Sequence, residues 1–355
     1  MKLVDPNIDF DSYANRDPIG PKVISASNYE ADIVDEFYGE KATGGVKMPW
    51  SDLHWFKFRS HEVSIWSGYN GHGKSLVLGQ VMLSAMQQEH RVCIASMEMT
   101  PASTLHRMAR QAIRSYTPPR EMINRFSRWT DDRLWIFDQM GSVSWNRMVG
   151  VVRYAVENLG IQHFVIDSLM KCGIAPDDYT TESQFVEELC SIAKSTGVHI
   201  HLVHHGRKPM NENTRMSKYE IRGSGQISDK VDNVVIISRN KKKERELMYT
   251  DHDPEIRKQP DAWITIDKQR HGTGEEGDFP LYYSKEATSY SARQVPEPIF
   301  LIDMGEYEDE HSADNETAGI EDPDRGSGSI GRVQEQSVPG RARRDLDEPL
   351  HESPF

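Results

Sequence analysis

The eight residues from Gly68 to Ser75, GYNGHGKS, fit the pattern G-x-x-x-x-G-K-[ST] without a mismatch, and few features restrict the fold of a chain so tightly. A loop of this kind needs a strand leading in and a helix leading out. Gly68, Gly71 and Gly73, with Asn70 in the turn, let backbone N–H groups point inward at phosphate oxygens. Lys74 is placed to reach the β- and γ-phosphates, and the Ser75 hydroxyl to hold Mg²⁺. Val63-Ser64-Ile65-Trp66 reads as the entering strand and Ser75 to Met86 as the apolar-faced helix that follows. The alternative is a glycine-rich turn that binds nothing.

The rest of the chain repeats the alternation. Strands are expected at 63–67, 92–97, 133–138, 163–168, 198–204, 233–238 and 262–267, and helices near 74–89, 101–114, 144–158 and 181–195. Thr100-Pro101 supplies an N-cap with proline at the first helical position. The fold class is therefore α/β, a mainly parallel central sheet flanked by helices. Three regions are expected: an arm or linker over 1–45, a nucleotide-binding domain over 46–290, and a tail over 291–355. The arm holds one helix candidate between Asn28 and Tyr38, with Ile33, Val34, Phe37 and Tyr38 on one face. That face would pack on its own domain or dock on a neighbouring subunit.

Charge sharpens this division. The formal net charge is −13, but residues 301–355 hold fifteen acids and five arginines, which leaves residues 1–300 close to neutral with 40 acids and 37 bases. Such a tail buries too little apolar surface to offset its ordering entropy and is expected to be disordered. A near-neutral body still allows a local basic surface. The three cysteines, Cys93, Cys172 and Cys190, lie far apart in apolar runs, which argues against disulfides or a zinc ribbon and for a reducing, cytoplasmic location. No signal peptide or bilayer-spanning run is visible, so no membrane partner is expected.

Three further positions carry chemistry. Glu98 directly follows the second of these strands, and strand C-termini face the ligand crevice of a parallel sheet. A carboxylate there can orient and deprotonate an attacking water; otherwise it caps the next helix. Asp167 closes the apolar strand His163–Ile166 in the manner of a Walker B element and would hold Mg²⁺ opposite Ser75. His205, or less favourably His204, ends a strand within reach of a γ-phosphate, while His199 and His201 read as strand-face core residues. The segment 206–222 then supplies Arg207, Lys208, Arg215, Lys218 and Arg222, a basic loop able to track nucleic-acid phosphates, or a solvated surface loop.

Together these elements resemble the hexameric replicative DNA helicases with a RecA-like ATPase core, the DnaB, Twinkle and phage primase-helicase group. Tyr219 to Ile227, with Arg222-Gly223-Ser224-Gly225, is similar to that family's RGSG segment associated with DNA binding, and Lys268-Gln269-Arg270-His271-Gly272 to its KxRxG segment with the arginine finger. Met97-Glu98-Met99 resembles the segment around the catalytic glutamate, and His205-Gly206-Arg207-Lys208 a sensor. The resemblance covers roughly 46–285. It implies ATP or another NTP such as dTTP with Mg²⁺, and a hexameric ring in which Lys74, Ser75, Glu98, Asp167 and His205 of one subunit meet Lys268 and Arg270 of the next. It further implies single-stranded and forked DNA as partners, a phage origin, and a tail that contacts a polymerase or primase. No primase region or helical collar is recognisable, so those activities do not carry over. A RecA-like recombinase or recombination mediator that assembles on DNA is the alternative.

Overall fold

Runs of wholly buried residues make the centre of the molecule. The structure, a computed structural model, describes residues 2–4, 8–14, 25–38, 44–206, 215–221, 224–250, 253–272 and 275–294. In chain order these form β1 (Lys2–Val4), α1 (Phe10–Ala14), α2 (Glu30–Tyr38), β2 (Val46–Lys47), β3 (Lys57–Phe58), β4 (Val63–Ser67) and α3 (Lys74–Gln87). Next come β5 (Val92–Ser96), α4 (Pro101–Ile113), α5 (Arg120–Trp129), β6 (Leu134–Phe137), α6 (Trp145–Leu159), β7 (His163–Asp167), α7 (Tyr179–Thr196) and β8 (His199–Val203). The last are α8 (Ser224–Lys230), β9 (Asn233–Arg239), α9 (Lys241–Tyr249), α10 (Pro254–Lys258), β10 (Ala262–Gln269), β11 (Gly277–Ser284) and β12 (Ser289–Ser291).

The sheet runs β1-β6-β5-β7-β8-β4-β9-β10-β11-β12, parallel from β1 to β9 and antiparallel thereafter. Every residue of β4, β5, β6, β7 and β8 is buried, as expected of strands covered by helices on both faces. One apolar cluster, including Phe164, Phe185 and Leu189, fills one face; another, including Trp50, Phe58, Trp66 and Met82, fills the other. Helix ends follow local chemistry. The Thr100 side chain accepts from the Ser103 N–H with Pro101 behind it, Ser144 and Asp178 cap α6 and α7, and Gly160 and Gly197 close those helices in left-handed conformations.

The sheet departs from the sequence reading at both edges. Residues 2–4 and 8–14, assigned there to the arm, join the body: β1 pairs with β6, and Phe10, 1 % exposed, packs against Phe137 and Tyr154. Gly150 allows this, because a Cβ there would sit 1.9 Å from the Phe10 carbonyl oxygen. At the other edge β11 and β12 extend the sheet as an antiparallel meander that alternating polar residues had concealed. Helix α2 coincides with the expected arm helix, and Ile33, Val34, Phe37 and Tyr38 are 52, 51, 72 and 85 % exposed, so its apolar face is not packed on its own domain. The tail from 295 onward lies outside the described residues. Among those described, no helix is long and apolar enough to cross a membrane, and all three cysteines are free and buried.

The strand histidines are core groups, as expected, but they form a cluster. At the ends of β7 and β8 remote from the loop, His163 Nδ1 lies 3.1 Å from His201 Nε2, His163 Nε2 lies 3.3 Å from His90 Nδ1, and Ser64 Oγ lies 2.8 Å from His199 Nε2. The Trp66 indole donates to His201 Nδ1 at 3.1 Å. Burial lowers the pKa of all four histidines, His199 to about 4. An unfolded chain therefore takes up protons below about pH 6.5 that the folded one refuses, and stability is whole above that pH and lost as pH falls below it. Each such histidine costs about 1.4 kcal/mol per pH unit. The melting temperature is expected to drop by on the order of 10 °C between pH 7 and pH 5, read by circular dichroism; a flat profile would contradict the buried neutral cluster.

Candidate nucleotide and nucleic-acid site

The loop after β4 turns sharply because its glycines permit it. Gly68 has φ +147°, and a Cβ there would lie 2.3 Å from the Ile237 carbonyl oxygen on β9; Gly73, at φ +87°, caps α3. Gly71 and the exposed Asn70 form the outer turn. Lys74, 5 % exposed, is folded back on the loop, its Nζ donating to the carbonyls of Gly68 at 2.8 Å and Tyr69 at 3.2 Å. Burial pulls its pKa down to about 8, opposed by Asp167 and Glu98. An ammonium held this way lies ready to exchange carbonyl partners for phosphate oxygens.

Four adjacent strands bring the rest to the same edge. Asp167 ends β7, nearly buried, and accepts a hydrogen bond from the Ser75 hydroxyl; burial raises its pKa against the pull of Ser75, Arg107 and Lys74, and Glu98 raises it further. Glu98, just past β5, accepts from Ser168 Oγ at 3.3 Å, and its Oε1 lies 3.9 Å from His205 Nε2 beyond β8. Burial, then the nearby Lys74, lowers the His205 pKa to about 4, so the ring is neutral at pH 7, and its buried Nδ1 has no partner. His204 is instead committed to Glu182 at 2.7 Å inside the core. The structure thus brings Lys74, Ser75, Glu98, Asp167 and His205 together and favours His205 over His204.

Sequence reasoning missed the far wall. Ser96, Thr104 and Arg107 line the same space as Ser75 and Asp167, and Ser96 Oγ, Thr104 Oγ1 and Arg107 Nε are buried without a hydrogen-bond partner. The orphaned Ser96 and Thr104 hydroxyls beside a hydroxyl–carboxylate pair suit a hydrated hard cation, which takes oxygen ligands and keeps several waters, whereas the Arg107 Nε–H can only donate to an anionic oxygen. Ser75 and Asp167 would hold the cation. Thr104 and Arg107 stand three apart on α4, one helix face, and that spacing was the available signal. The other flank is aromatic. The Tyr290 hydroxyl lies 3.2 Å from where a Gly73 Cβ would be, Gln80 holds the Tyr290 backbone, Tyr283 lies 5.2 Å from Tyr290, and Arg110 stacks on Tyr116 at 4.0 Å.

Lys268 and Arg270 lie elsewhere. They stand at the far end of β10, whose other end, Ala262, pairs with Arg239 near the loop. Eight extended residues put about 25 Å between the two ends. There Lys268 Nζ donates to the carbonyls of Ser228 at 2.7 Å and Val231 at 2.8 Å, while Arg270 donates to the Asp229 carbonyl at 2.7 Å and to Asp232 at 3.2 Å. Both cations thus hold the C-terminal end of α8, whose first residues are Ser224 and Gly225. Arg207, Lys208, Arg222 and Gly223 lie outside the described residues. Lys218 falls in a short 3-10 turn beside Tyr219, which is 77 % exposed, and Arg215 stacks on Trp263 at 3.9 Å and pairs with Asp278.

Comparison with known proteins agrees with this fold. Residues 55–211 match a family model described as an AAA domain. No curated protein matches the chain. Among solved structures, an ATPase domain is similar over 76 % of this chain and 99 % of its own, at 17 % identity and TM-score 0.62. A DnaB-like replicative helicase, described with its interactions with primase, is similar over 76 % of this chain and 67 % of its own, at 17 % identity and TM-score 0.56. The chain has the RecA-like fold of the ATPase core of DnaB-like replicative helicases.

Proposed function

We propose that this protein is an NTP-driven replicative DNA helicase that assembles as a ring, hexameric by preference, and moves along single-stranded DNA to open duplex at a fork. The observation that carries this reading is the separation of the two halves of the site: the loop, Glu98, Asp167 and His205 at one sheet end, Lys268 and Arg270 about 25 Å away at the other. One chain cannot close that distance, whereas a neighbour in a ring presents its far end to the loop. The exposed apolar face of α2 suits the same assembly, as an arm seated on the adjacent subunit.

In this reading ATP or dTTP lies in the loop with Lys74 on its β- and γ-phosphates and its base against the Tyr283 and Tyr290 flank. Ser75 and Asp167 would hold Mg²⁺, which would supply charge neutralisation at the phosphates. Glu98 orients and deprotonates the attacking water, and the neutral His205 donates to the γ-phosphate. The neighbour's Arg270 stabilises charge in the transition state. Because Lys268 and Arg270 also grip α8, loss of the γ-phosphate is felt at that helix, and the DNA strand is bound by Arg207, Lys208, Arg215, Lys218 and Arg222 to Gly225. A phage origin, work in the host cytoplasm, and docking of the acidic tail on a polymerase or primase complete the proposal.

Strand displacement tests it. With Mg²⁺ and ATP the full chain is expected to release a labelled strand from a forked duplex, and to appear as closed rings in negative-stain micrographs. Inactivity on forks together with long filaments on single-stranded DNA would overturn the helicase reading in favour of a recombinase.

A further inference from the structure

A second cavity adjoins the loop at His72. Its volume is about 280 Å³, close to the lower end of ordinary small-ligand pockets. Arg215, Arg239, Lys241, Lys242, Ser238 and Trp263 line it, with His72 from the loop, and no acidic side chain does. Each of the four cations has an acidic partner: Glu244 pairs with Arg239 and Lys241, Glu246 with Lys242 and Asp278 with Arg215. Lys74, Ser75 and Asp167 are not among the lining residues, so this space is separate from the one that would receive nucleotide phosphates.

Two independent features point to an anion. The first turn of α9, capped by Asn240, opens on the cavity with Lys241 and Lys242 beside it, so the helix dipole adds to the side-chain charge. Within the cavity Ser238, 2 % exposed, has a buried Oγ without any hydrogen-bond partner. Ser238 stands directly across the sheet from Trp263, so hydroxyl and indole share one face. His72 adds a donor: its Nδ1 accepts from the Arg239 N–H at 3.1 Å, which leaves the ring proton on Nε2. A helix N-terminus, a spare buried hydroxyl and cations whose partly exposed carboxylate partners a phosphate can displace suit a phosphoryl group, with Arg215 stacked on the indole as one wall. We propose that this cavity is a second phosphate-binding site that takes one nucleotide unit, either a free nucleotide or one residue of a single strand. Its occupancy would be felt at the loop, since Arg239 also bonds the Gly71 carbonyl at 3.4 Å.

The test uses the full chain and two probes. In the first arm, equilibrium dialysis counts a non-hydrolysable ATP analogue bound per chain with Mg²⁺; a free-nucleotide site gives two in the native protein and one in Lys241→Glu/Lys242→Glu. In the second, anisotropy follows a labelled twenty-residue oligo-dT with the loop saturated by that analogue. A strand in the cavity gives a roughly tenfold weaker affinity in the double variant and a shallower salt dependence, by about 1.4 in log–log slope for two lost phosphate contacts. Ser238→Ala, which leaves the charge alone, is expected to lower the same readout several-fold, and Arg120→Glu, an exposed reversal elsewhere, to leave it unchanged. Melting temperatures near the native value show that each variant folds. One nucleotide per chain throughout, with oligonucleotide affinity within twofold of Arg120→Glu, would overturn the proposal, as would a loss in the lysine variant that Ser238→Ala does not share.

Discussion

Replacing Arg270 by alanine is expected to lower ATP turnover by about 10³-fold or more while leaving nucleotide binding to the loop nearly intact, since an arginine supplied in trans contributes about 10³ to 10⁵ to phosphoryl transfer. That corresponds to roughly 4–7 kcal/mol of transition-state stabilisation. In mixtures with native subunits each variant subunit disables one neighbouring site, so turnover should fall in proportion to the variant fraction. Arg270 has a structural partner as well, and the experiment must separate the two roles. Without it Asp232, almost buried, keeps the Val63 N–H at 2.9 Å and loses its cation, a stability cost of about 1–3 kcal/mol. Turnover falling by orders of magnitude in a variant that still melts cooperatively and binds nucleotide identifies the catalytic role. Arg270→Lys, which keeps charge but not the planar fork, should recover stability more than activity.

Replacing Glu98 by glutamine is expected to lower turnover by about 10² to 10⁴, the range for loss of a positioned general base, with Mg²⁺ and nucleotide still bound. The proposed mechanism takes Glu98 rather than Asp167 as the base. Asp167 is nearly buried and committed to the Ser75 hydroxyl, whereas Glu98 is half exposed and held only by Ser168 on one side and His205 on the other. Single-turnover hydrolysis and strand displacement should fall together. Unchanged hydrolysis in Glu98→Gln would return Glu98 to the role of a helix cap and leave the base unassigned.

How far the sequence reaches depends on how local the signal is. The loop, the strand-ending Glu98 and Asp167, and the terminal His205 were legible because each is a short segment whose chemistry is fixed by its place at a strand end. The central strands were legible for the same reason, as continuous apolar runs. Ser96, Thr104 and Arg107 were not, because their role arises only when α4 packs beside β5 and β7 and leaves their polar atoms without partners. The seat of Phe10 was equally hidden, since it depends on one glycine in α6, 140 residues away along the chain. Similarly, β11 and β12 carry the alternation of edge strands, whose polar half reads as loop. The apolar face of α2 was visible, but a sequence pattern cannot say which surface it covers.

The separation of the two half-sites is the claim on which the functional account stands, and complementation measures it most directly. Lys74→Ala removes the loop's lysine and keeps Arg270; Arg270→Ala does the reverse, and each alone is expected to be inactive. Mixed at equal ratio under conditions that allow subunit exchange, they should regain ATP turnover stimulated by single-stranded DNA. Interfaces that join an intact loop from one variant to an intact Arg270 from the other restore the complete site. Turnover that stays at the background of the separate variants, in mixtures shown by labelled subunits to have exchanged, would contradict a site shared between subunits.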